Sequence, residues 1–281
     1  MNMAKLIIMA GGASSRMKRS IETSELTPET KKIASSAHKS LIPLGSKQKP
    51  LLFHLIQNAV NAGFREVYLI TSPENEAFRE CVGSASKNNL FAGALVHYAI
   101  QYLLQGRNKA LGTADAVQQA MEQHPELKNE SFTICNGDNL YSVHAFALLL
   151  APRDTPHALI SYNRSSLNYS FARMSSFAII DISEEGLLEN IIEKPDPETL
   201  KNYEDTSDYI GVSMNIFSFK GALLFPYLKN CPIHLERNEK ELPEAVRMMI
   251  KESKNRTRCF KVSEHLPDLT SAGDLKNFSN L

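Results

Sequence analysis

Over the first 150 residues, short apolar runs alternate with stretches of helical period. Residues 6–10 predict a strand, Leu51–Ala62 a helix, 67–71 a strand, 74–82 a helix and 95–99 a strand. Residues 114–121 then predict a helix, 132–135 a strand and Val143–Leu150 a helix. Wholly apolar strands separated by helices imply a parallel sheet with crossover helices, and such sheets bind ligands outside the carboxyl ends of their strands. The second half changes character. Residues 158–162, 177–181, 187–193 and 209–217 predict longer strands, and the middle pair meets at Ser183-Glu184-Glu185-Gly186, which gives an antiparallel element. Helices at 221–228 and 243–251, a strand at 258–262 and a last helix from Ala272 complete the pattern. Residues 20–37 are rich in Ser, Thr, Glu and Lys, with one Pro and no aromatic residue, and are expected to form a mobile loop.

Composition narrows the function classes. The 281 residues hold 31 Lys+Arg against 31 Asp+Glu, so no nucleic-acid-binding surface is advertised. Apolar residues with glycine make up about 48%, the range of ordered globular domains. The longest unbroken apolar run, Ala145 to Ala151, falls far short of the roughly 20 residues that span a bilayer, so no membrane partner is expected. Residues 5–9 are too short for the apolar core of a secretory signal, and the expected location is the cytoplasm. Cys81, Cys135, Cys231 and Cys259 are scattered singly and read as reduced thiols, neither a zinc cage nor a disulfide framework. The length suits one α/β domain over 1–281.

Chemistry concentrates at the ends of the first-half strands. Gly11-Gly12-Ala13-Ser14-Ser15-Arg16-Met17 follows the first strand. A glycine pair there lets backbone N–H groups approach a phosphate, and Arg16 can add a forked, permanent cation. The segment lacks the Walker A lysine and the dinucleotide spacing, which disfavours P-loop NTPases and Rossmann oxidoreductases. Lys39 precedes Pro43, and Lys49-Pro50-Leu51 opens the next helix. Gly137-Asp138 follows a buried strand, where a carboxylate suits a hard cation.

In this order the motifs resemble the sugar-1-phosphate nucleotidyltransferases, with G-G-x-G-T-R-[LM], K-x-x-x-P and K-P-L matched at 11–17, 39–43 and 49–51. Gln105-Gly106-Arg107-Asn108-Lys109-Ala110-Leu111-Gly112 resembles the Q-G-x-x-K-x-L-G segment of bacterial UTP-glucose-1-phosphate uridylyltransferases, and Gly112-Thr113-Ala114-Asp115-Ala116 resembles the adenylyltransferases. Ile191-Ile192-Glu193-Lys194-Pro195 matches the family's E-K-P, and residues 209–217 resemble its later strand through Asn215. Pro267-Asp268-Leu269-Thr270 corresponds to the second metal aspartate, with Asp274 assigned to the first turn of the closing helix. Ser14 departs from the family's glycine, 23 positions separate Arg16 from Lys39, Ser170 replaces a glycine, and Ile216-Phe217-Ser218 departs from the later strand. The S-S-R-M form also resembles the molybdopterin nucleotidyltransferases.

The resemblance implies a Rossmann-like α/β fold with a mixed, mostly parallel sheet and an antiparallel sugar-binding elaboration. Residues 1–150 would form mainly the nucleotide-binding half and 151–281 mainly the sugar-binding half. It implies Mg²⁺-dependent transfer from an NTP, UTP favoured, to a sugar 1-phosphate, glucose 1-phosphate favoured. Arg16, Lys39 and Asp138 would be catalytic. Gly11, Gly12, Ala13, Ser14, Ser15, Gln105, Gly112 and Thr113 would bind nucleotide, with Gln101 a second candidate for reading the base. Glu193, Lys194 and Asn215 would hold the sugar phosphate, and Asp138 with Asp268 the metal. A catalytically silent nucleotide-sensing subunit and a non-sugar, molybdopterin-type transferase are the alternatives. A homo-oligomer is left open.

Overall fold

The computed structural model describes residues 3–12, 14–22, 24, 31, 34, 38–84, 86, 88–206, 208–279 and 281. In chain order the strands are β1 (Ala4–Met9), β2 (Pro43–Leu44), β3 (Lys49–Pro50), β4 (Phe64–Thr71), β5 (Leu90–Phe91), β6 (Ala94–Ile100), β7 (Ser131–Asn136), β8 (His157–Asn163), β9 (Ala178–Ile182), β10 (Leu188–Ile192), β11 (Gly211–Lys220) and β12 (Thr257–Val262). The helices are α1 (Ser15–Ile21), α2 (Leu51–Ala62), α3 (Glu76–Val82), α4 (Thr113–Gln123), α5 (Val143–Leu150), α6 (Phe171–Met174), α7 (Pro197–Thr206), α8 (Gly221–Asn230) and α9 (Leu242–Ile250). The chain divides into two compact units.

The first unit comprises Met1–Tyr102, Asn136–Phe146 and Leu266–Leu281. Its strands β1, β4 and β6 run parallel, with Ile8 opposite Leu69 and Leu69 opposite Tyr98, and β5 adds an antiparallel edge. Leu6, Ile7 and Ile8 are all fully buried, because helices and loops cover both faces of a parallel sheet and no side of the strand is left polar. α2 buries Leu51, Leu52, Leu55, Ile56 and Ala59 along one stripe. It starts after Pro50, whose fixed φ suits the entry, and ends at Gly63, whose φ of 119° an L side chain would resist. Lys49, just before this helix, lays its ammonium 5.4 Å from the centre of the Phe53 ring.

The second unit comprises Leu103–Cys135 and Ala147–His265. β11 is its hub: it pairs antiparallel with β8, with β9 near its start and with β7 near its end. β12 joins β8 in parallel, and β9 turns back into β10. That turn is the one expected at 183–186: Gly186 adopts φ 78° and donates to the Ser183 carbonyl at 2.9 Å.

Three departures from the expected elements have physical reasons. The segment 20–37 is not a uniform loop: α1 runs through Ser20 to Ile21, and Ala34 is buried with Met17, Ile21, Leu269 and Phe278; most of its other residues lie outside the described set. α7 was not expected, because Pro195, Pro197 and a mostly polar sequence mask its short stripe, of which Leu200 packs on Ile179 and Ile210. The closing helix from Ala272 is a 3₁₀ helix, Ala272–Phe278, whose capping box joins Ser271 and Asp274. None of the four cysteines is joined in a disulfide. Among the described residues, no helix is long and apolar enough to cross a membrane.

His157 makes the second unit acid-sensitive. It is fully buried, its Nδ1 accepts the Lys220 N–H at 3.3 Å, and burial pushes its pKa from 6.5 down to about 4. The unfolded chain therefore binds the extra proton first. Stability present above pH 6.5 is lost as pH falls toward 4, by about 2–3 kcal/mol at pH 4.5 for this group. Urea unfolding at pH 7 and pH 4.5 checks this: His157→Gln should shrink the difference between the two pH values by that amount, and an unchanged difference would assign the acid sensitivity to other groups.

Candidate active site

At the carboxyl end of β1 the Ala10 N–H bonds the Ile70 carbonyl at 2.9 Å, and the chain then turns out through Gly11 and Gly12. A Cβ on Gly11 would lie 3.5 Å from the Thr71 carbonyl carbon and 3.6 Å from Oε1 of Gln101, whereas one on Gly12 would meet nothing within 4 Å. Gly11, the end of β4 and the buried Gln101 after β6 thus meet at one sheet edge, where a parallel sheet binds its ligand. Ala13 lies outside the described residues. Ser14 is buried and left-handed, with φ 54° and ψ 26°, a conformation that glycine adopts most readily. Such a backbone costs a non-glycine residue roughly 1–2 kcal/mol. In return its Oγ accepts the Lys39 N–H at 3.2 Å. Ser15 and Arg16 are exposed at the start of α1.

The 3₁₀ turn Lys39–Leu41 carries Lys39. Its ammonium donates to Oδ2 of Asp138, both side chains being more than four-fifths buried. Asp138 is aimed by Gly137, which packs so closely on β1 that a Cβ would lie 3.0 Å from the Met9 carbonyl oxygen. Asp268 comes from 130 residues downstream (268 − 138), yet it lies beside Asp138. Asn139 faces Asp268 in an antiparallel bridge, Leu269 N–H donates to the Asp138 carbonyl at 2.8 Å, and Leu140 N–H donates to the Pro267 carbonyl at 2.9 Å. Asp268 is buried, and Thr270 Oγ1 lies 3.0 Å from both its carboxylate oxygens.

His38, which the sequence reading did not single out, completes this group. Its Nε2 lies 2.7 Å from the Gly12 carbonyl oxygen, its Nδ1 accepts the Ser40 N–H at 3.3 Å, and its ring packs on Phe78. Burial, and next the Lys39 and Lys18 charges, outweigh the Gly12 bond and Asp138 to bring its pKa down to about 4. The imidazole is therefore neutral at pH 7.

The second unit holds the other sequence-derived residues. Gln105 is exposed in the turn closed by Arg107 N–H to the Leu104 carbonyl at 3.0 Å. Gly112 needs both its φ of 113° and its missing side chain, because a Cβ would lie 2.4 Å from the Lys240 carbonyl oxygen. Thr113 opens α4, and its Oγ1 accepts the Leu242 N–H at 2.8 Å. With Arg107 on the Asn238 Oδ1 at 3.2 Å, residues 238–242 fasten the whole 105–113 loop. Nothing in the local pattern signals this fastening, since it joins segments about 130 residues apart.

Glu193 follows β10 and is half-buried; burial first, then Glu241, raises its pKa, while Arg237, Arg247 and Lys194 oppose the rise. Lys194 is exposed with φ 45°. Asn215, with φ 55°, occupies an irregularity in β11 where Ser213 pairs with Ser161 but Phe217 already pairs with Leu159.

Two aspartates, a lysine and exposed loop amides form an oxygen-rich, cation-supplying group able to bind a polyphosphate. Among the described residues no three His, Cys, Asp or Glu side chains form a metal cage. Two hard carboxylates fit Mg²⁺, which takes one or two protein carboxylates and completes its shell with waters and phosphate oxygens.

The sequence profile described as nucleotidyl transferase matches residues 5–264. Glucose-1-phosphate adenylyltransferase 1 of Vibrio vulnificus (strain YJ016) is 24% identical over 222 residues, which is 79% of this chain and 50% of that protein. The chain thus spans about half the length of this curated relative. A solved UDP-glucose pyrophosphorylase in complex with UDP-glucose aligns with a TM-score of 0.70 at 17% identity, covering 99% of this chain and 98% of the other. A Bacillus anthracis protein assigned as a glucose-1-phosphate thymidylyltransferase, in complex with sucrose, aligns with a TM-score of 0.67 at 18% identity, covering 98% and 94%. These similarities establish a mixed α/β fold with a mostly parallel central sheet. With the profile covering almost the entire chain, the protein belongs to the nucleotidyl transferase family.

Proposed function

We propose that the protein transfers a nucleotidyl group from an NTP to a sugar 1-phosphate and releases pyrophosphate. The observation that carries this reading is the convergence of the Gly11-Gly12 loop, Lys39, Asp138 and Asp268 at the carboxyl edge of the parallel strands. A phosphate oxygen of the sugar 1-phosphate attacks the α-phosphorus; its new P–O bond forms as the bond to the bridging oxygen breaks, and that oxygen leaves with pyrophosphate. Such transfer needs alignment and charge neutralisation more than a protein nucleophile. The loop amides of residues 11–15 and Arg16 hold the leaving pyrophosphate. Lys39 exchanges the Asp138 carboxylate for a triphosphate oxygen. Asp138 and Asp268 would hold Mg²⁺, which supplies charge neutralisation at the phosphates when bound. Lys194 neutralises the sugar phosphate, Glu193 and Asn215 take sugar hydroxyls, and Gly112 and Thr113 line the nucleotide.

For the base, Gln101 and Gln105 are the two candidate carboxamides raised by the sequence. Gln101 is the stronger candidate, since it is buried beside Gly11, and Gln105 is solvent-exposed. One carboxamide can pair with O4 and N3–H of uracil together but can also rotate to suit adenine, so the Q-G-x-x-K-x-L-G spacing at 105–112, which resembles the uridylyltransferases, is what favours UTP, with glucose 1-phosphate as its partner. The adenylyl- and thymidylyltransferase names among the relatives make ATP and dTTP the competitors.

Pyrophosphate release from four NTPs against several sugar 1-phosphates tests this. UTP with glucose 1-phosphate is expected to lead, and Gln101→Ala should erode the preference for UTP over ATP about ten- to hundredfold, the cost of an unsatisfied buried polar pair. ATP leading the panel would transfer the assignment to the adenylyl side. No Mg²⁺-dependent release with any pair would leave the silent, nucleotide-sensing alternative.

Asp138→Asn and Asp268→Asn should each lower turnover by at least about a hundredfold, because the amide is a far weaker ligand for a hard cation. Both variants preserve shape. A turnover loss accompanied by an equal loss of folded protein at the assay temperature would instead make these aspartates structural.

A further inference from the structure

The Gly11-Gly12 loop poses a problem that its glycines do not solve. Gly12 is exposed, and a side chain there would touch nothing within 4 Å, so packing does not hold this part of the loop in shape. Glycine backbone is also the most costly to order. A phosphate-binding loop must present N–H groups, and a Gly12 carbonyl free to swing would turn the negative end of its dipole toward the phosphate oxygens.

We propose that His38 is a positioning residue that locks the Gly12 carbonyl away from the phosphate-binding face and keeps the loop a surface of donors. The Gly12 carbonyl oxygen can only accept, so Nε2 of His38 carries the ring proton and donates it at 2.7 Å, which leaves Nδ1 to accept from Ser40, whose Oγ lies at 2.8 Å and whose N–H lies at 3.3 Å. Phe78 holds the ring in place, with centroids 5.2 Å apart and a 55° tilt. The next residue supplies a second rung, Lys39 N–H to Ser14 Oγ at 3.2 Å. Residues 38 and 39 thereby grip the loop on both sides of residue 13. The same two residues deliver the Lys39 ammonium to Asp138, so loop shape and charge placement are fixed by one short turn.

This inference rests on the loop being the triphosphate site, as the proposed function has it, but it is tested by binding and not by turnover. His38→Phe keeps an aromatic ring against Phe78 and removes both nitrogens; His38→Gln restores an N–H donor. Calorimetry of the full chain with UTP, ATP, GTP and CTP in Mg²⁺ gives the dissociation constants, and differential scanning gives the melting temperature without nucleotide. For the NTP that binds wild type best, His38→Phe is expected to weaken binding at least tenfold, with a melting temperature within about 3 °C of wild type. His38→Gln should recover at least a third of the lost affinity on a logarithmic scale. In the coupled assay, KM for the NTP should rise while KM for the sugar 1-phosphate stays within twofold.

Unchanged NTP binding in His38→Phe overturns the proposal. So does equal weakening in His38→Phe and His38→Gln, or a fall in melting temperature that accounts for the loss. If His38→Phe does not fold, His38→Asn, too short to reach Gly12, is read in the same way. NTP binding without sugar-phosphate turnover would sink the proposed reaction while leaving this inference decided by the binding data; no NTP binding by wild type overturns both.

Discussion

The ion pair between Lys39 and Asp138 is the constraint on which the candidate site depends. Its members are 99 residues apart, and both are largely withdrawn from water. Each member is held by its own framework. Lys39 is held by a 3₁₀ turn pinned to Ser14, and Asp138 by a glycine pressed against β1. Asp268 arrives through a backbone ladder opposite Asn139. The arrangement holds charges of both signs together, which suits the proposed exchange on binding a polyphosphate with its counter-ion.

Glycine placement divides by cause. Gly137 and Gly112 lack side chains because another backbone occupies the space, the Met9 carbonyl in one case and Lys240 in the other. Ser14 shows the converse: the left-handed backbone remains while the side chain is put to use, with a hydroxyl hydrogen bond offsetting part of the conformational cost. A departure from the family pattern at this position is therefore compatible with the same loop geometry. It also ties the loop more firmly to the lysine turn than a glycine could.

The strands and helices of the first half were legible because a buried parallel strand writes itself as an unbroken apolar run, as in Leu6, Ile7 and Ile8, and an amphipathic helix as a stripe, as in α2. The neighbourhood of Asp138 and Asp268 was legible only through motif order, since no local pattern encodes a bridge across 130 residues. α7 escaped because its charges and prolines outweigh one short stripe. His38 escaped for a different reason: a lone histidine beside a motif lysine carries no periodic signal, and it is the 2.7 Å approach to Gly12 and the packing on Phe78 that distinguish it from a solvated side chain. The loop at 105–113 was recognised by its residues, but its fastening by Asn238 and Lys240 was not.

The two ends of the chemistry differ in how strongly they constrain sequence. Phosphate is recognised by charge and by backbone N–H groups, which demand glycines, a lysine and carboxylates at fixed strand ends and leave few alternatives. A base or a sugar is recognised by carboxamides and hydroxyls that can rotate or be supplied from neighbouring positions, as Gln101 and Gln105 illustrate. Relatives named for adenylyl and thymidylyl transfer, and one bound to UDP-glucose, can therefore share this fold at 17–24% identity while differing in the nucleotide they are named for or bind. For the same reason, the glycine loop, Lys39, Asp138 and Asp268 argue for the class of reaction with more force than any one residue argues for its substrate. Under the proposed function, the identity of base and sugar would follow from side chains whose partners are exchangeable, such as the half-buried Glu193 and Asn215.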